Sequence, residues 1–453
     1  MTRIYPQFVV AKFGGTSVAD FDSMNRSAGI VLADDHVRLV VLSASAGVTN
    51  LLVELSEGLE SRDRMDKIDT LRTIQYNIIS RLKAPLVISK EIDQLLENIA
   101  RLAETALATP STALSDELVS HGELMSSLLF AEVLREREAQ AEWFDARKVI
   151  RTNNLYGCAE PNISLVEDQA EAHLRPRIEQ AIVITQGFIG SDDYGKTTTL
   201  GRGGSDYTAS LLGEALQASR VDIWTDVAGI YTTDPRIVAQ AQRIDHISFS
   251  EASDMAAFGA KVLHPATLLP AMRKNIPVFV GSSKNTAAGG TLVRRETEDP
   301  PLYRAIAVRR KQTLLRLHSL HAQPAYLFFA EMFAILAAHQ VDVDLVTTSE
   351  SCIALALNST GSTSGEDHTL TTALLTALSS HCRVEIETGL ALITVIGNQL
   401  HRGAGVCRDT FVGLDEYAVR MIFHGASNDN ICFLLPSDVA DGAVIALHRR
   451  LFE

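Results

Sequence analysis

The sequence predicts an α/β fold: a mostly parallel sheet between two helical layers, followed by a smaller α+β region. Three observations carry this. Short apolar, β-branched runs recur at Phe8–Phe13, Val37–Leu42, Ala181–Thr185, Val221–Trp224 and Pro277–Val280. Longer stretches of helical character separate them, among them Asn50–Leu59, Asp116–Arg135 and Asp206–Ala218. The character then changes at the charged, Pro-Pro-containing stretch Arg294–Pro301, which reads as a linker. Strands alternating with helices form βαβ units, whose parallel sheet is covered on both faces. In such sheets ligands lie beyond the carboxyl ends of the strands, so the Gly-rich turns there are the places to search.

The chain length of 453 residues predicts two or three domains, and an apolar share of 46% is enough for sizeable cores. The formal net charge of -14 argues against a nucleic-acid partner, which needs clustered Lys and Arg. The few cations placed in Gly-rich loops therefore carry more information. Cys158, Cys352, Cys382, Cys407 and Cys432 form no C-x-x-C pair, so neither a zinc site nor a disulfide framework is signalled. No signal-peptide pattern and no apolar run of membrane-spanning length is present, which predicts a cytoplasmic protein without a membrane partner.

The first strand ends in Lys12-Phe-Gly14-Gly15-Thr-Ser17. The two glycines let backbone N–H groups approach an anion, and Lys12 supplies a point charge for phosphate oxygens. The Lys precedes the glycines, so this is not a Walker A loop; a plain tight turn reads the same way. After the second strand, Ser43–Asn50 is rich in small residues, and Thr49 or Ser45 can offer a hydroxyl to a substrate; a helix start capped by Thr49 or Asn50 is the bland alternative. Ser120-His-Gly-Glu123 lies inside a helix for which Ser115 is a suitable N-cap. Glu123 shares a stripe with Val119 and Phe130, where a carboxylate needs a partner. A substrate ammonium and a structural Arg or Lys both answer that need.

Leu200-Gly-Arg202-Gly203-Gly204-Ser205-Asp206 leads into the next helix. Ser205 is a suitable N-cap and Asp206 suits the first-turn dipole, which an ordinary capped helix also explains. Arg202 between glycines is not explained that way; it can grip a carboxylate through two parallel hydrogen bonds. Thr225–Arg236 follows a strand and is dense in turn formers. Thr225, Asp226 and Tyr231 can bind ribose and adenine, and Arg236 a phosphate; a structured loop is the bland alternative. Phe258–Pro265 places Lys261 and Val262 just after Gly259.

Beyond the linker a weak repeat appears: Asp344–Leu357 resembles Arg420–Leu435, each a strand, a polar turn and a strand. Two copies of a small α+β unit fit this better than a solenoid. The Gly/Ser/Thr-rich stretch Asn358–His368 reads as a flexible loop.

Taken together, the five landmarks at Lys12–Val18, Ser120–Glu123, Leu200–Asp206, Thr225–Arg236 and Phe258–Pro265 resemble the aspartokinases of the amino-acid kinase superfamily. They occur in the family's order across nearly all of the first 300 residues, and the remainder is similar to that family's paired ACT regulatory units. The likeness is strongest to the monofunctional lysine-sensitive class. It implies a three-layer α/β/α kinase domain over 1–298 and two ferredoxin-like ACT units over 299–453. About 315–390 would be inserted into a second unit built from 299–314 and 391–453. It also implies a reaction, ATP plus L-aspartate giving ADP and 4-phospho-L-aspartate, with Mg2+ on the phosphates.

In that reading Lys12 holds the transferring phosphate and Lys261 assists at the nucleotide. Arg202 clamps the substrate α-carboxylate, Glu123 its ammonium, and Asp206 orients Lys12 or a magnesium-bound water. Gly203, Gly204, Ser205 and Thr49 complete the substrate side; Gly14, Gly15, Thr225, Asp226, Tyr231, Arg236 and Val262 complete the nucleotide side. The resemblance further implies a homodimer through the ACT units and lysine as effector, at Phe328, Asp344, Ser349 and Glu350. The chain departs from the pattern at Ala322–Phe328, where Pro324 lacks a donor and Leu327 replaces a permissive Gly. A kinase acting on glutamate-type carboxylates and a non-catalytic ACT-based amino-acid sensor are the two alternatives.

Overall fold

The computed structural model describes residues 7–260, 263, 265–320, 323–358, 370–425 and 427–453. The chain divides into two compact units. The first holds 1–230, 243–253 and 261–297; the second holds 231–242, 254–260 and 298–453.

The first unit is built on an eight-stranded sheet. In spatial order its strands are Ala141–Trp143, Ile182–Gln186, Val37–Leu42, Val9–Phe13, Arg220–Thr225, Val278–Ser282, Gly290–Arg294 and His246–Ser248. All neighbours pair in parallel except Val278–Ser282 with Gly290–Arg294. The expected parallel α/β sheet is therefore observed. Val9–Phe13 is fully buried and central, with Lys12 registered between Val41 and Ile223. The chain leaves it toward Val37–Leu42 on one side and later returns as Arg220–Thr225 on the other. That is a topological switch point, where the crevice of an open α/β sheet opens.

The second unit is a six-stranded antiparallel sheet in the order Val343–Thr348, Cys352–Asn358, Tyr303–Ser319, Cys382–Gly397, Asn430–Pro436, Met421–His424. The two repeated segments are the hairpins at its two edges. Tyr303–Ser319 and Cys382–Gly397 run through both halves, pairing as Tyr303–Arg309 with Leu392–Gly397 and as Gln312–Ser319 with Cys382–Leu390. The register shifts between these stretches, where Lys311 adopts φ 58°. Each half has its own core. Phe328, Met332, Leu355 and Leu374 belong to one; Ile393, Phe433, Val444 and Leu447 belong to the other. The second core also takes in Val238, with Ile237 and Ala241 packed against it, which is why 231–242 belongs to this unit.

Two helix starts differ from the sequence reading. The helix Thr112–Glu136 is capped by Ser111, whose side chain accepts from Leu114 N–H, and not by Ser115, whose hydroxyl bonds Ser56. The helix Gly204–Leu216 is capped by Gly203 at φ 74°, and not by Ser205. A serine makes a hydrogen-bonded cap only from extended backbone; here the turn is left-handed, so glycine takes the place. Among the described residues no helix is long and apolar enough to cross a membrane.

Candidate active site

At the switch point a cleft of about 280 Å³ is lined by Lys12, Ser43, Thr49, Glu123, Phe188 and the run Gly201–Asp206. Five segments meet here: most lie at or just beyond a strand's carboxyl end, and Glu123 comes from the long helix Thr112–Glu136. A larger cleft of about 550 Å³ lies elsewhere in this unit, lined among others by Arg220, Arg243, Asp245 and Phe279. Its arginines are already paired, Arg220 with Asp222 and Asp34, Arg243 with Asp245. The smaller cleft is the one with chemistry left over.

Lys12 Nζ lies 2.5 Å from Asp206 Oδ1, with both side chains largely buried. A strand end and a helix first turn thus hold a cation and an anion at hydrogen-bond distance. Glu123 is 3% exposed. Its Oε1 accepts from Ala44 N–H at 3.0 Å, and its Oε2 has no hydrogen-bond partner among the described residues. Burial pushes its carboxyl up to about 8, against the opposing pull of the Ala44 N–H and the Lys12 charge. The structural Arg or Lys that the sequence left open as its partner is not there among the described residues. Its neighbour His121 bonds Glu117 C=O at 2.9 Å and is held below the usual histidine range by burial.

Arg202 is exposed at the cleft rim and makes no hydrogen bond or ion pair among the described residues. The glycines on both sides of it take left-handed backbone, Gly201 at φ 73° and Gly203 at φ 74°. No side chain caps the helix that starts at Gly204, and Asp206 is the acidic residue of its first turn, at the cleft. Thr49 lies in the helix Val48–Ser56, whose N-cap is Gly47 at φ 83°; neither Thr49 nor Asn50 serves as the cap.

Other candidates are placed differently. Gly14 N–H bonds Trp224 C=O at 3.1 Å, and a Cβ on Gly15 would lie 2.8 Å from Ala44 C=O, so that turn is pinched between two strand ends. Thr225 bonds Asp226 through its hydroxyl at 3.3 Å. Tyr231 and Arg236 belong to the second unit, and Arg236 is held by both oxygens of Asp234. Lys261 and Val262 lie outside the described residues. In the second unit, Phe328 is fully buried in the core beneath the helix Ala325–Ala338. Asp344 is ion-paired with Arg309 at 2.5 Å. Ser349 N–H closes the hairpin turn on Cys352 C=O, and Glu350 is exposed beside it. Leu327 is inside that helix, so glycine's freedom is not needed there; Pro324 is its N-cap, where the missing N–H is not part of the helix.

Ser43 and Phe188 line the cleft; the sequence reading took in Ser43 only as part of the small-residue turn Ser43–Asn50 and missed Phe188. Both follow a strand end, Ser43 after Val37–Leu42 and Phe188 two residues after Ile182–Gln186, which is the available signal. Phe188 takes φ 70°, costly for an aromatic residue, and is held by Thr208 Oγ1 on its N–H and Leu200 N–H on its C=O.

Comparison with known proteins agrees with this geometry. Residues 7–282 match the model of the amino acid kinase family, and 393–451 match an ACT domain. The chain belongs to the amino acid kinase family. Lysine-sensitive aspartokinase 3 of Escherichia coli (strain K12) is 62% identical over 447 residues, 99% of this chain and 100% of that one. Two crystal structures of E. coli aspartokinase III, each 62% identical over 99% of this chain and 100% of theirs, superpose on it. One, in complex with aspartate and ADP (R-state), has a TM-score of 0.92; the other, with lysine and aspartate (T-state), 0.85. Within the wider family the chain is thus a member of the aspartokinases.

Proposed function

We propose that this chain transfers the γ-phosphoryl group of ATP to the side-chain carboxylate of L-aspartate, and that the cleft at the switch point is where it does so. The observation that carries this is the meeting of Lys12, Glu123, Arg202 and Asp206 in one cleft, where a buried Glu123 oxygen and Arg202 have no partner among the described residues. The likeness to E. coli aspartokinase III in complex with aspartate and ADP supports the same substrates.

The acceptor carboxylate has a reference pKa near 3.9 and is already ionised at pH 7, so no general base is required. The obstacle is bringing one anion against another. Catalysis is therefore positioning and positive charge. Glu123 takes the substrate ammonium and Arg202 the α-carboxylate, which leaves the side-chain carboxylate free to face the triphosphate. Its oxygen attacks the γ-phosphorus as the bond to the β–γ bridging oxygen breaks, and ADP leaves with that electron pair. Lys12 compensates charge on the transferring group, and Asp206 fixes the Lys12 ammonium. Gly203 and Ser205 present N–H groups, Gly204, whose N–H is held by Gly201 C=O, shapes the turn between them, and Thr49 offers a hydroxyl. Gly14, Gly15, Thr225, Asp226, Lys261 and Val262 serve the nucleotide.

No group of three or more His, Cys, Asp or Glu among the described residues is arranged to hold a metal ion. Mg2+, as it accompanies nucleotides, would be held by phosphate oxygens and water, with Asp206 orienting Lys12 or one of those waters. When bound it neutralises charge on the triphosphate.

The domain reading is a kinase domain over 1–298 and two ACT units over 299–453, interleaved so that 315–390 interrupts the other. The two strands shared between two cores support it. Lysine is the effector that the relatives suggest, and a cytoplasmic homodimer joined at the ACT units is the assembly. The test is direct. ATP, Mg2+ and aspartate with hydroxylamine should yield aspartyl hydroxamate in step with ADP; glutamate should not. ADP release that ignores aspartate, or equal hydroxamate from glutamate, would contradict the proposal.

A further inference from the structure

We infer that Asp116, which no sequence motif singled out, is a positioning residue that fixes Arg202 relative to Glu123. Asp116 is 3% exposed. Its carboxylate accepts from Gly157 N–H at 3.0 Å, from Thr199 N–H at 2.8 Å and from Thr199 Oγ1 at 2.8 Å. Burial raises its pKa against those three donors, and no cation is paired with it among the described residues. A buried, unpaired carboxylate is costly. What it secures is the joining of three chain segments at one point.

Two of those segments run into the cleft lining, one at Glu123 and one at Gly201–Asp206. Asp116 sits in the helix Thr112–Glu136, seven residues and about two turns before Glu123, hence on the same face. Thr199 is three residues before Arg202. Gly157 belongs to the loop that backs the Arg202 turn: a Cβ on Gly201 would lie 3.3 Å from Gly157 C=O. The Arg202 turn has glycines on both sides and no cap of its own, so its position is not determined by local sequence. Asp116 supplies the missing constraint from outside, tying the turn to the helix that carries the partner carboxylate.

This rests on the reading of Arg202 and Glu123 as the two grips on aspartate, and the test separates the two claims. Asp116→Asn keeps the shape but turns an N–H2 toward a donor. Thr199→Val removes one hydrogen bond, and Thr199→Ser keeps it. With steady-state kinetics in both substrates, Asp116→Asn is expected to raise the aspartate KM at least tenfold and Thr199→Val about threefold. Thr199→Ser should stay within twofold of the parent, and the ATP KM within twofold throughout. Arg202→Lys is measured alongside. If Arg202→Lys and Asp116→Asn both act on the ATP KM instead, the substrate assignment of Arg202 fails while the positioning role stands. If Arg202→Lys acts on aspartate but Asp116→Asn and Thr199→Val leave both KM values within twofold, the positioning role is overturned, whatever they do to thermal stability. Should Asp116→Asn fail to fold, the Thr199 pair decides on the same criterion.

Discussion

Two regions of this chain were expected to grip an amino acid, and they differ in electrostatic bookkeeping. In the kinase cleft Glu123 is buried with one oxygen unpartnered, and Arg202 is unpaired among the described residues. In the C-terminal unit Asp344 is already paired with Arg309, Phe328 is core, and Ser349 and Glu350 lie on an open turn. Burying a charge without a partner is unfavourable, so a fold retains one where a ligand completes it. The first region is poised for its ligand. In the second, an ammonium that bound at Asp344 would have to displace Arg309.

The contrast can be broken most forcefully at Lys12. If its ion pair with Asp206 serves phosphate transfer, Lys12→Ala should lower kcat/KM at least tenfold, since a charge-assisted hydrogen bond is worth roughly 1.5–3 kcal/mol. Turnover within twofold of the parent at saturating ATP would remove Lys12 from the mechanism. Arg202→Lys comes next. Loss of the planar fork should raise the aspartate KM about tenfold, with a smaller change for ATP. The reverse pattern would assign Arg202 to the nucleotide.

A smaller effect sharpens the regulatory side. Arg309→Met frees Asp344, so the lysine concentration for half inhibition should fall about threefold, within the usual coupling range. An unchanged inhibition curve would take Asp344 out of the effector site.

The parallel sheet was legible in the sequence because buried strands read as continuous apolar runs and helices as longer periodic ones. Lys12, Glu123 and Arg202 were legible because each is a charge where the local pattern calls for something else; Asp206 suits an ordinary helix first turn and drew notice through the family resemblance. Three things were not. Ser43 and Phe188 enter the cleft through where the chain passes rather than through an unusual side chain. Ser205 and Ser115 suit the capping chemistry, yet the choice fell to the turn geometry at Gly203 and to Ser111 one turn earlier. Tyr231–Gln242 continues directly from Thr225 and Asp226, so the sequence reads one nucleotide loop. Ile237, Val238 and Ala241 instead bury their side chains in the C-terminal core, and long-range packing of that kind leaves no local mark.

The central claim is that Glu123 awaits an ammonium. With a folded-state pKa of about 8 against 4.5 for the free side chain, the folded protein holds a proton that the unfolded chain has lost. Its contribution to stability is complete below pH 4.5 and disappears as the pH rises through about 8. At pH 7 the carboxyl is therefore mostly protonated, and pairing with the aspartate ammonium must ionise it. Calorimetric titration of aspartate, with an unreactive ATP analogue present, in two buffers of different ionisation enthalpy counts the protons released. The parent should release close to one proton per site at pH 7, and Glu123→Gln none. A binding enthalpy independent of buffer in the parent, or the same release from Glu123→Gln, would contradict the claim.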